Sequence, residues 1–405
     1  MKRLFIVQNG LVDRHSHYYG ETKGWREVCR ARGIALHLYI NSHALPDIVE
    51  ELSANPAFPY APDIILDKDA VSGRLSDFIT LSEQFAQSCA ALERDGITAD
   101  DDMVVSYSTE RDMFGAALWL ERIPAARRPT IVFIFHGPNM AWTFDADRAK
   151  FKGEFSYFRY AMKRMRAVTP AEKVVVYATG ARLAKVLEGI FQHPCEYCPL
   201  PTYYVSNDVL VASDEQTGPR VNVRLAGGLR WEKGDDLALQ VIFRVAGLRP
   251  GTSFAVQVHD RQHAEAIAGQ LAPLSGTRSR CYVQAGQLSH ELYQRRLVHS
   301  DILLLPYRQT SYALRSSGVF SEAAGLGIVT VVPSRTWMAD LLNEGCGAGT
   351  IFDEPTVDGA STALVAAIDG YAELSAQARR RAPDWRRTNS VAALLDKIVQ
   401  RTAPV

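Results

Sequence analysis

The chain has 405 residues, which is too long for one ordinary hydrophobic core and favours two domains of about 200 residues each. Hydrophobic residues make up 47% of the chain and charged residues 22%, as is typical of a globular protein. The 45 basic and 45 acidic residues cancel, which argues against a nucleic-acid partner because phosphate contacts need a basic excess.

The cysteines and the apolar runs indicate a cytoplasmic protein. The six cysteines are scattered, as reduced thiols usually are, and Cys195 and Cys198 form a lone C-x-x-C pair that does not predict a zinc site. The first apolar run, Leu4–Val7, is too short for a signal peptide. We find no run of the roughly 18 apolar residues that a membrane-spanning helix needs.

Short apolar runs alternate with segments of helical periodicity along the whole chain. In the first half the predicted strands are Leu4–Val7, Ala35–Ile40, Met103–Tyr107, Ile131–Phe135 and Val174–Ala178. In the second half they are Val221–Ala226, Phe254–Val258, Cys281–Ala285, Ile302–Leu305 and Ile328–Val332. Continuous apolar strands that alternate with helices indicate parallel sheets covered on both faces. The predicted fold is α/β, with two Rossmann-like domains facing each other across a cleft.

Two polar segments of the first half follow predicted strands. The loop Gly10–Gly20 contains tyrosines and histidines that could stack on a sugar acceptor, although an ordinary polar loop is an equal alternative. His136 directly follows the strand Ile131–Phe135, and ligands of such sheets bind at the carboxyl ends of strands. We predict a positioning or electrostatic role for His136, the alternative being a structural histidine that caps the strand.

The segment 150–166 combines six cations with five aromatic residues. A basic amphipathic helix of this kind can lie on an anionic membrane surface, and such a contact would suit a lipid-anchored acceptor. A helix that packs its aromatic face on the sheet is the better-supported alternative.

A stretch rich in proline and turn-forming residues runs from Cys198 to Pro219 and predicts the boundary between the domains. We place the first domain at residues 1–203 and the second at residues 204–384. The final segment, 385–405, is predicted to be helical and to cross back to the first domain.

The second domain opens with a cationic turn. Gly227 and Gly228 follow the strand Val221–Ala226, and Arg230 and Lys233 lie on the turn into the next helix. At the carboxyl end of a strand both cations would face a ligand, where they could neutralise a departing diphosphate. A solvated surface turn is the alternative.

About 80 residues later, small residues open a short helix. The backbone amides around Ser317, Gly318 and Val319 form a loop-to-helix junction of the kind that binds phosphate. Glu322 lies one turn further on, where its carboxylate could bind ribose hydroxyls. Together with the cationic turn, this junction predicts a site for a nucleoside diphosphate.

Both motifs resemble elements of the retaining GT-B glycosyltransferases of family four (glycosyl transferases group 1). The residues that match the G-x-L-x-x-E-K-G element of that family are Gly227, Leu229, Glu232, Lys233 and Gly234. Asp301–Tyr307 is similar to the A-D-x-x-x-x-P strand of the family, and Ser317–Gly327 to its phosphate loop and the helix that follows. The matches span the second half of the chain in the right order, so the chain is identified as a divergent member.

The resemblance implies a nucleotide-sugar donor, retention of anomeric configuration, and no metal or other cofactor. The implied catalytic residues are His136, Lys233 and Arg230. The implied donor-binding residues are Gly228, Arg230, Lys233, Gly286, Gln287, Ser317, Gly318, Val319 and Glu322. Within this set the loop of Gly286 and Gln287 would contact the base, and Glu322 would bind the ribose. The acceptor, a saccharide or a lipid-linked glycan of polysaccharide or cell-envelope biosynthesis, would be bound mainly by the first domain.

Two positions depart from the family pattern. Gly228 stands where the family has an arginine, and Arg230 could replace that arginine from the same turn. Leu314, eight residues before Glu322, stands where the family has a second glutamate, and leucine can neither accept a hydrogen bond nor stabilise charge. The sequence therefore leaves open a catalytically silent chain that binds a nucleotide sugar within an assembly complex, and less favourably a sugar-nucleotide epimerase.

Overall fold

The computed structural model describes residues 3–15, 17–62, 70–137, 143–145, 150–152, 156–204 and 221–401. These residues form two separate parallel sheets with packed helices, so the predicted α/β fold with two Rossmann-like domains is confirmed. The chain divides into two compact units. Unit 1 comprises residues 1–143, 151–201 and 394–405, and unit 2 comprises residues 144–150 and 202–393.

Unit 1 is built on a seven-stranded sheet. Its strands are β1 (Arg3–Gln8), β2 (Ala35–Asn41), β3 (Asn55–Phe58), β4 (Asp102–Val105), β5 (Thr130–Phe135), β8 (Val174–Ala178) and β9 (Glu196–Tyr197). They lie in the order β3-β2-β1-β4-β5-β8-β9, and every pair runs parallel. Two short strands, β6 (Thr143–Asp145) and β7 (Lys150–Lys152), pair with each other in a small separate sheet.

Helices follow most strands of unit 1. They are α1 (His17–Ala31), α2 (Pro46–Leu52), α3 (Ala70–Ser88), α4 (Ala90–Arg94), α5 (Glu110–Arg122), α6 (Ser156–Val168) and α7 (Ala181–Phe191). Phe5, Val104 and Phe133, on three neighbouring strands, are fully buried, as expected for strands covered by helices. Helix α5 begins with a capping box, in which Thr109 and Asp112 satisfy each other's backbone amides.

Unit 2 is built on a six-stranded parallel sheet. Its strands are β10 (Asn222–Leu225), β11 (Ser253–Val258), β12 (Arg280–Ala285), β13 (Ile302–Leu304), β14 (Val329–Pro333) and β15 (Gly349–Phe352), in the order β12-β11-β10-β13-β14-β15. Its helices are α8 (Asp235–Leu248), α9 (Arg261–Leu271), α10 (His290–Val298), α11 (Gln309–Tyr312), α12 (Gly318–Leu326), α13 (Trp337–Asn343), α14 (Val357–Asp369) and α15 (Tyr371–Thr388). The last helix of the chain, α16 (Val391–Arg401), begins in unit 2 and continues in unit 1.

The chain passes from unit 1 to unit 2 after Pro201 and returns after Ala393. Residues 205–220, which include most of the predicted boundary stretch, lie outside the described residues. The return point follows α15, whereas the sequence places it at 384/385, inside that helix. Trp385 is buried in unit 2 and its indole N–H donates to the Ser321 carbonyl at 2.9 Å, which keeps the end of α15 in that unit.

The C-terminal helix α16 makes polar contacts within unit 1. Asp396 forms an ion pair with Arg32, and the Lys397 ammonium lies 2.9 Å from a carboxylate oxygen of Glu196. Leu394 and Leu395 are fully buried, so the helix adds apolar surface to the core of that unit.

Gly115 sets how closely α3 and α5 approach each other. A Cβ at Gly115 would lie 2.6 Å from the Ser82 carbonyl oxygen and 2.7 Å from the Phe85 Cβ, closer than atoms can pack. We predict that Gly115→Ala lowers the free energy of unfolding by about 1–3 kcal/mol through overpacking. Chemical denaturation monitored by circular dichroism measures this change.

Gly189 provides the matched control, since it is exposed on α7 and a Cβ there would have no atom within 4 Å. Gly189→Ala should leave the stability unchanged or raise it by up to about 1 kcal/mol, because alanine has the higher helix propensity. Equal effects of the two substitutions would contradict the packing argument.

Candidate functional site

The cationic turn of unit 2 and the junction before α12 meet at a glycine. After β10 ends, the chain passes through Gly227 and Gly228, both with left-handed backbone (φ +79° and +71°). A Cβ on Gly227 would lie 2.6 Å from the Lys233 Nζ and 2.8 Å from the Val319 Cγ2. Only glycine therefore fits where these two distant parts of the sequence come together.

Lys233 is a buried cation beside other cations. It is only 7% exposed, its ammonium donates a hydrogen bond to the Gly227 carbonyl, and Nζ lies 5.5 Å from the centre of the Tyr307 ring. Burial, and then repulsion from Arg230 and Arg315, lower the pKa of Lys233 to about 7. An anion bound beside this ammonium would favour its charged form and raise the pKa of Lys233 again.

A histidine that the sequence pattern did not single out lies beside the turn. A Cβ on Gly228 would lie 2.5 Å from the ring of His259. Burial and the neighbouring cations Lys233 and Arg230 lower the pKa of His259. His259 directly follows β11, as His136 directly follows β5, so the same sequence pattern could have identified it. Arg230 itself is exposed and forms an ion pair with Glu232.

The junction that opens α12 has the geometry of an anion site. Ser317 caps the helix, and its hydroxyl accepts a hydrogen bond from the Phe320 amide at 3.2 Å. Gly318 and Val319 lie in the first turn, where amides have no carbonyl partner within the helix. These amides and the helix dipole favour a negative charge at this end.

Glu322 is a buried acid one turn into α12. Burial raises its pKa to about 7, against the opposing effects of the neighbouring Gln294, Tyr293 and Lys233 side chains. The Gln294 amide lies 3.5 Å from the Glu322 carboxylate and also donates to the Tyr203 carbonyl at 2.8 Å. Gln294 and Tyr293 could not be found from the sequence, because their helix shows only an ordinary amphipathic pattern.

Hydrogen bonds from the preceding segment fix helix α12 at Ser321. The hydroxyl groups of Thr202 and Ser321 are 2.6 Å apart, and the Tyr204 hydroxyl donates to the Ser321 carbonyl at 3.0 Å. The Tyr204 ring occupies the space that a side chain at Gly325 would need. The helix that presents Glu322 is therefore fixed by residues of the segment that enters unit 2.

An apolar side chain followed by a cation precedes the junction at positions 314 and 315. Leu314 is buried. Arg315 is exposed, and its guanidinium lies 5.7 Å from the centre of the Tyr312 ring. This part of the junction therefore offers positive charge and no carboxylate.

The loop after β12 lies next to the strand that carries His259. Gly286 has a left-handed backbone (φ +89°) and its amide donates to the Val258 carbonyl at 2.9 Å. Gln287 is exposed. The proposed contact of Gly286 and Gln287 with a base stays a prediction.

In unit 1, His136 belongs to a cluster of aromatic side chains. It stacks on Tyr107 with ring centres 3.8 Å apart and an angle of 10° between the planes. Tyr107 also contacts Tyr18 at 4.6 Å and His17 at 4.8 Å between ring centres. Burial, and to a lesser extent His17, hold the pKa of His136 well below its usual range. His136 is therefore neutral at pH 7 and can orient a group by hydrogen bonding.

Tyr107 has an unusual backbone for its residue type. The sequence predicts that β4 continues through Tyr107, but the strand ends at Val105 and Tyr107 adopts a left-handed conformation (φ 58°). Such a conformation is unfavourable for a bulky residue, and residues held in it cluster at functional sites. The turn directs the Tyr107 ring onto His136.

A buried acid lies under the same cluster. The Glu21 carboxylate accepts hydrogen bonds from the Ser106 hydroxyl at 2.6 Å and the Trp25 indole at 3.2 Å. Burial raises the pKa of Glu21 to about 7.

In the loop Gly10–Gly20, the Tyr18 ring packs on Gly10, where a Cβ would lie 2.5 Å from ring atoms. Ser16 lies outside the described residues.

Residues 156–166 of the basic segment 150–166 belong to α6, and residues 153–155 lie outside the described residues. Phe158, Met162 and Met165 are buried and form the inward face of this helix, whereas the aromatic Tyr160 is 53% exposed. Arg159 and Lys163 are exposed on the opposite side.

The described residues contain neither a metal-binding group nor a membrane-spanning helix. Among them, no three histidine, cysteine, aspartate or glutamate side chains are grouped so that they could hold a metal ion. No helix in the described part of the chain combines the length and apolar character that crossing a membrane requires.

Comparisons with known proteins support the fold. No protein-family model matches the chain, and no curated protein matches its sequence. Among solved structures, a glycosyltransferase from Rickettsia africae is similar over 98% of this chain and 97% of its own, with a TM-score of 0.66 and 9% identity. An α,α-trehalose 6-phosphate synthase from Burkholderia multivorans is similar over 99% and 96%, with a TM-score of 0.66 and 14% identity.

A third similar structure is Anabaena HepE in complex with UDP and glucose, which matches over 100% of both chains with a TM-score of 0.61 and 13% identity. Structural similarity over nearly the whole chain shows that it has the GT-B fold, and at 9–14% identity the comparisons show the fold alone. They leave its activity to be argued from its own residues.

We predict that Lys233→Met stabilises the ligand-free protein at pH 7. Between pH 7 and about pH 10 the unfolded chain holds a proton on Lys233 that the folded chain has lost, so wild-type stability rises with pH over this range. The variant lacks this dependence. The free energy of unfolding of Lys233→Met should exceed that of the wild type by at least about 1 kcal/mol at pH 7, and the difference should shrink towards pH 10.

Thermal unfolding of both proteins at several pH values measures this difference. A lower midpoint for Lys233→Met at pH 7 would show that the ammonium stabilises the folded protein and would contradict the burial argument.

Proposed function

We propose that the chain is a glycosyltransferase that moves a sugar from a nucleoside diphosphate sugar to an acceptor. The observation that carries the proposal is the grouping of Lys233, the first amides of α12 and the buried Glu322. The ammonium and the amides suit a diphosphate, and the carboxylate suits the hydroxyls of a ribose. The similar structure that holds UDP and glucose supports the same kind of donor.

The residues of unit 2 would act chiefly on the leaving group. When the bond between the sugar carbon and the diphosphate oxygen breaks, negative charge accumulates on the diphosphate. Lys233 and Arg230, with the amides near Ser317, would stabilise that charge in a site already arranged for it. Because Gly228 stands where the family has an arginine, Arg230 would supply that positive charge.

The finer features of the reaction rest on the resemblance to family four. We propose that the anomeric configuration is retained and that no metal is needed, since Lys233, Arg230 and the helix amides would supply the positive charge. His136 would position the sugar as a neutral hydrogen-bonding group. The loop of Gly286 and Gln287 would contact the base.

The aromatic cluster of unit 1 is our candidate for the acceptor site. Stacked tyrosine and histidine rings offer apolar faces to the C–H groups of a sugar and polar edges to its hydroxyls. The acceptor would be a saccharide or a lipid-linked glycan, in polysaccharide or cell-envelope biosynthesis. We propose a cytoplasmic enzyme, with the exposed cations of α6 as a site for peripheral contact with the inner face of the membrane.

Leu314 motivates the second candidate function. A chain without the second acid could bind a nucleotide sugar within an assembly complex and never cleave it. Slow hydrolysis of donor without acceptor separates the two functions, since only an active enzyme releases nucleoside diphosphate.

We predict that UDP, GDP, ADP or dTDP raises the thermal midpoint of the protein and that one of them does so most strongly. The corresponding sugar nucleotides should be cleaved slowly to the diphosphate, and Lys233→Ala should reduce that turnover at least about 100-fold. Thermal shift measurements followed by chromatographic detection of the released diphosphate test both points.

Lys185→Ala is the matched control, because Lys185 is an exposed lysine on α7. That variant should keep wild-type turnover. Unchanged turnover in Lys233→Ala would contradict the assignment of Lys233, binding without any turnover in the wild type would favour the silent chain, and binding of none of the four nucleotides would overturn the proposed function.

A further inference from the structure

Two buried tyrosines separate two cations at the junction before α12. The Lys233 ammonium lies 5.5 Å from the centre of the Tyr307 ring, and that ring lies 4.5 Å from the Tyr312 ring. The Arg315 guanidinium lies 5.7 Å from the centre of Tyr312. Lys233 and Arg315 are therefore held against neighbouring rings, and each tyrosine is 3% exposed, which makes this arrangement a fixed part of unit 2.

Arg315 differs from the other arginines around the turn in its charge partners. Arg230 pairs with Glu232, and Arg308 pairs with Asp236 at 2.9 Å. Among the described residues, no carboxylate forms an ion pair with Arg315. Its charge is instead felt by Lys233, whose pKa it helps to lower. A guanidinium in this position is open to a bidentate interaction with an external anion.

The order of groups in a donor places its sugar near Arg315. With the ribose at Glu322 and the diphosphate at the first turn of α12, the sugar lies beyond the start of the helix. Arg315 is two residues before the capping residue Ser317. The neighbouring Leu314 presents no carboxylate that would repel an acidic group.

We propose that the donor carries an acidic sugar, of the uronic acid class, and that Arg315 binds its carboxylate. The inference rests on the proposed function, since it needs a nucleotide sugar in this site. It explains why a leucine and an exposed arginine stand together here: a neutral sugar is held by a hydrogen-bond acceptor, whereas a sugar carboxylate needs a cation and the absence of a competing acid.

The test is a titration of the full chain with matched donors. First, UDP, GDP, ADP and dTDP are compared to identify the base. Then the glucose and glucuronate forms of that nucleotide are compared by calorimetry at pH 7. We expect the glucuronate form to bind at least about 10-fold more tightly than the glucose form, the gain typical of a charge-assisted hydrogen bond.

Three variants assign the preference to one residue. Arg315→Gln should abolish the preference, taken as the ratio of the two affinities within that variant, while the variant still binds the nucleoside diphosphate alone. Arg315→Lys should keep part of the preference, because the charge remains without the bidentate geometry. Arg295→Gln, the same change at an exposed arginine paired with Glu291, should keep the full preference.

Equal binding of the two donors, or a preference that survives Arg315→Gln, would overturn this inference while the proposed function stood. If no nucleotide bound at all, the proposed function would fail and this inference with it.

Discussion

The parallel direction of every strand pair within each main sheet is the constraint on which both candidate sites depend. In a parallel sheet all carboxyl ends lie at one edge, so residues far apart in sequence are brought together there. In unit 1 this edge assembles Tyr107 and His136 over Glu21. In unit 2 it brings the turn of Gly227 to the start of α12, with His259 on the adjacent strand end. Each cluster exists because of sheet topology and not because of local sequence.

Burial disfavours the charged forms of two side chains in unit 2, Lys233 and Glu322. The pKa of Lys233 is lowered to about 7 and the pKa of Glu322 is raised to about 7, because each group loses hydration. A diphosphate beside the ammonium, with ribose hydroxyls beside the carboxylate, would favour the charged form of both. Helix α12 cannot relax to avoid the conflict, since Ser321 is fixed by Thr202, Tyr204 and Trp385. Such conflicts within a rigid frame are typical of functional sites.

Much of the fold could be predicted from the sequence, because buried parallel strands are continuous apolar runs. All ten predicted strands are present, with ends within two residues of those observed. The main-sheet strands that were missed, β3, β9 and β15, lie at sheet edges or are too short to show a pattern. The sequence also predicted that Lys233 lies on a turn and that Glu322 lies near the start of a helix. The contacts of Gln294, Tyr312 and Arg315, and the left-handed Tyr107, depend on packing between distant segments, which a single sequence does not show.

A diphosphate that binds next to the Lys233 ammonium is central to the proposed function. Its most direct test is the number of protons taken up when the preferred nucleoside diphosphate binds at pH 7.5, obtained by calorimetry in buffers of different ionisation enthalpy. Because the pKa of Lys233 is about 7 and that of Glu322 also about 7, we predict a net uptake of about half a proton, with Lys233 gaining protons and Glu322 losing some, and no uptake by Lys233→Met. Binding without proton uptake, or uptake that persists in the variant, would contradict this placement of the diphosphate.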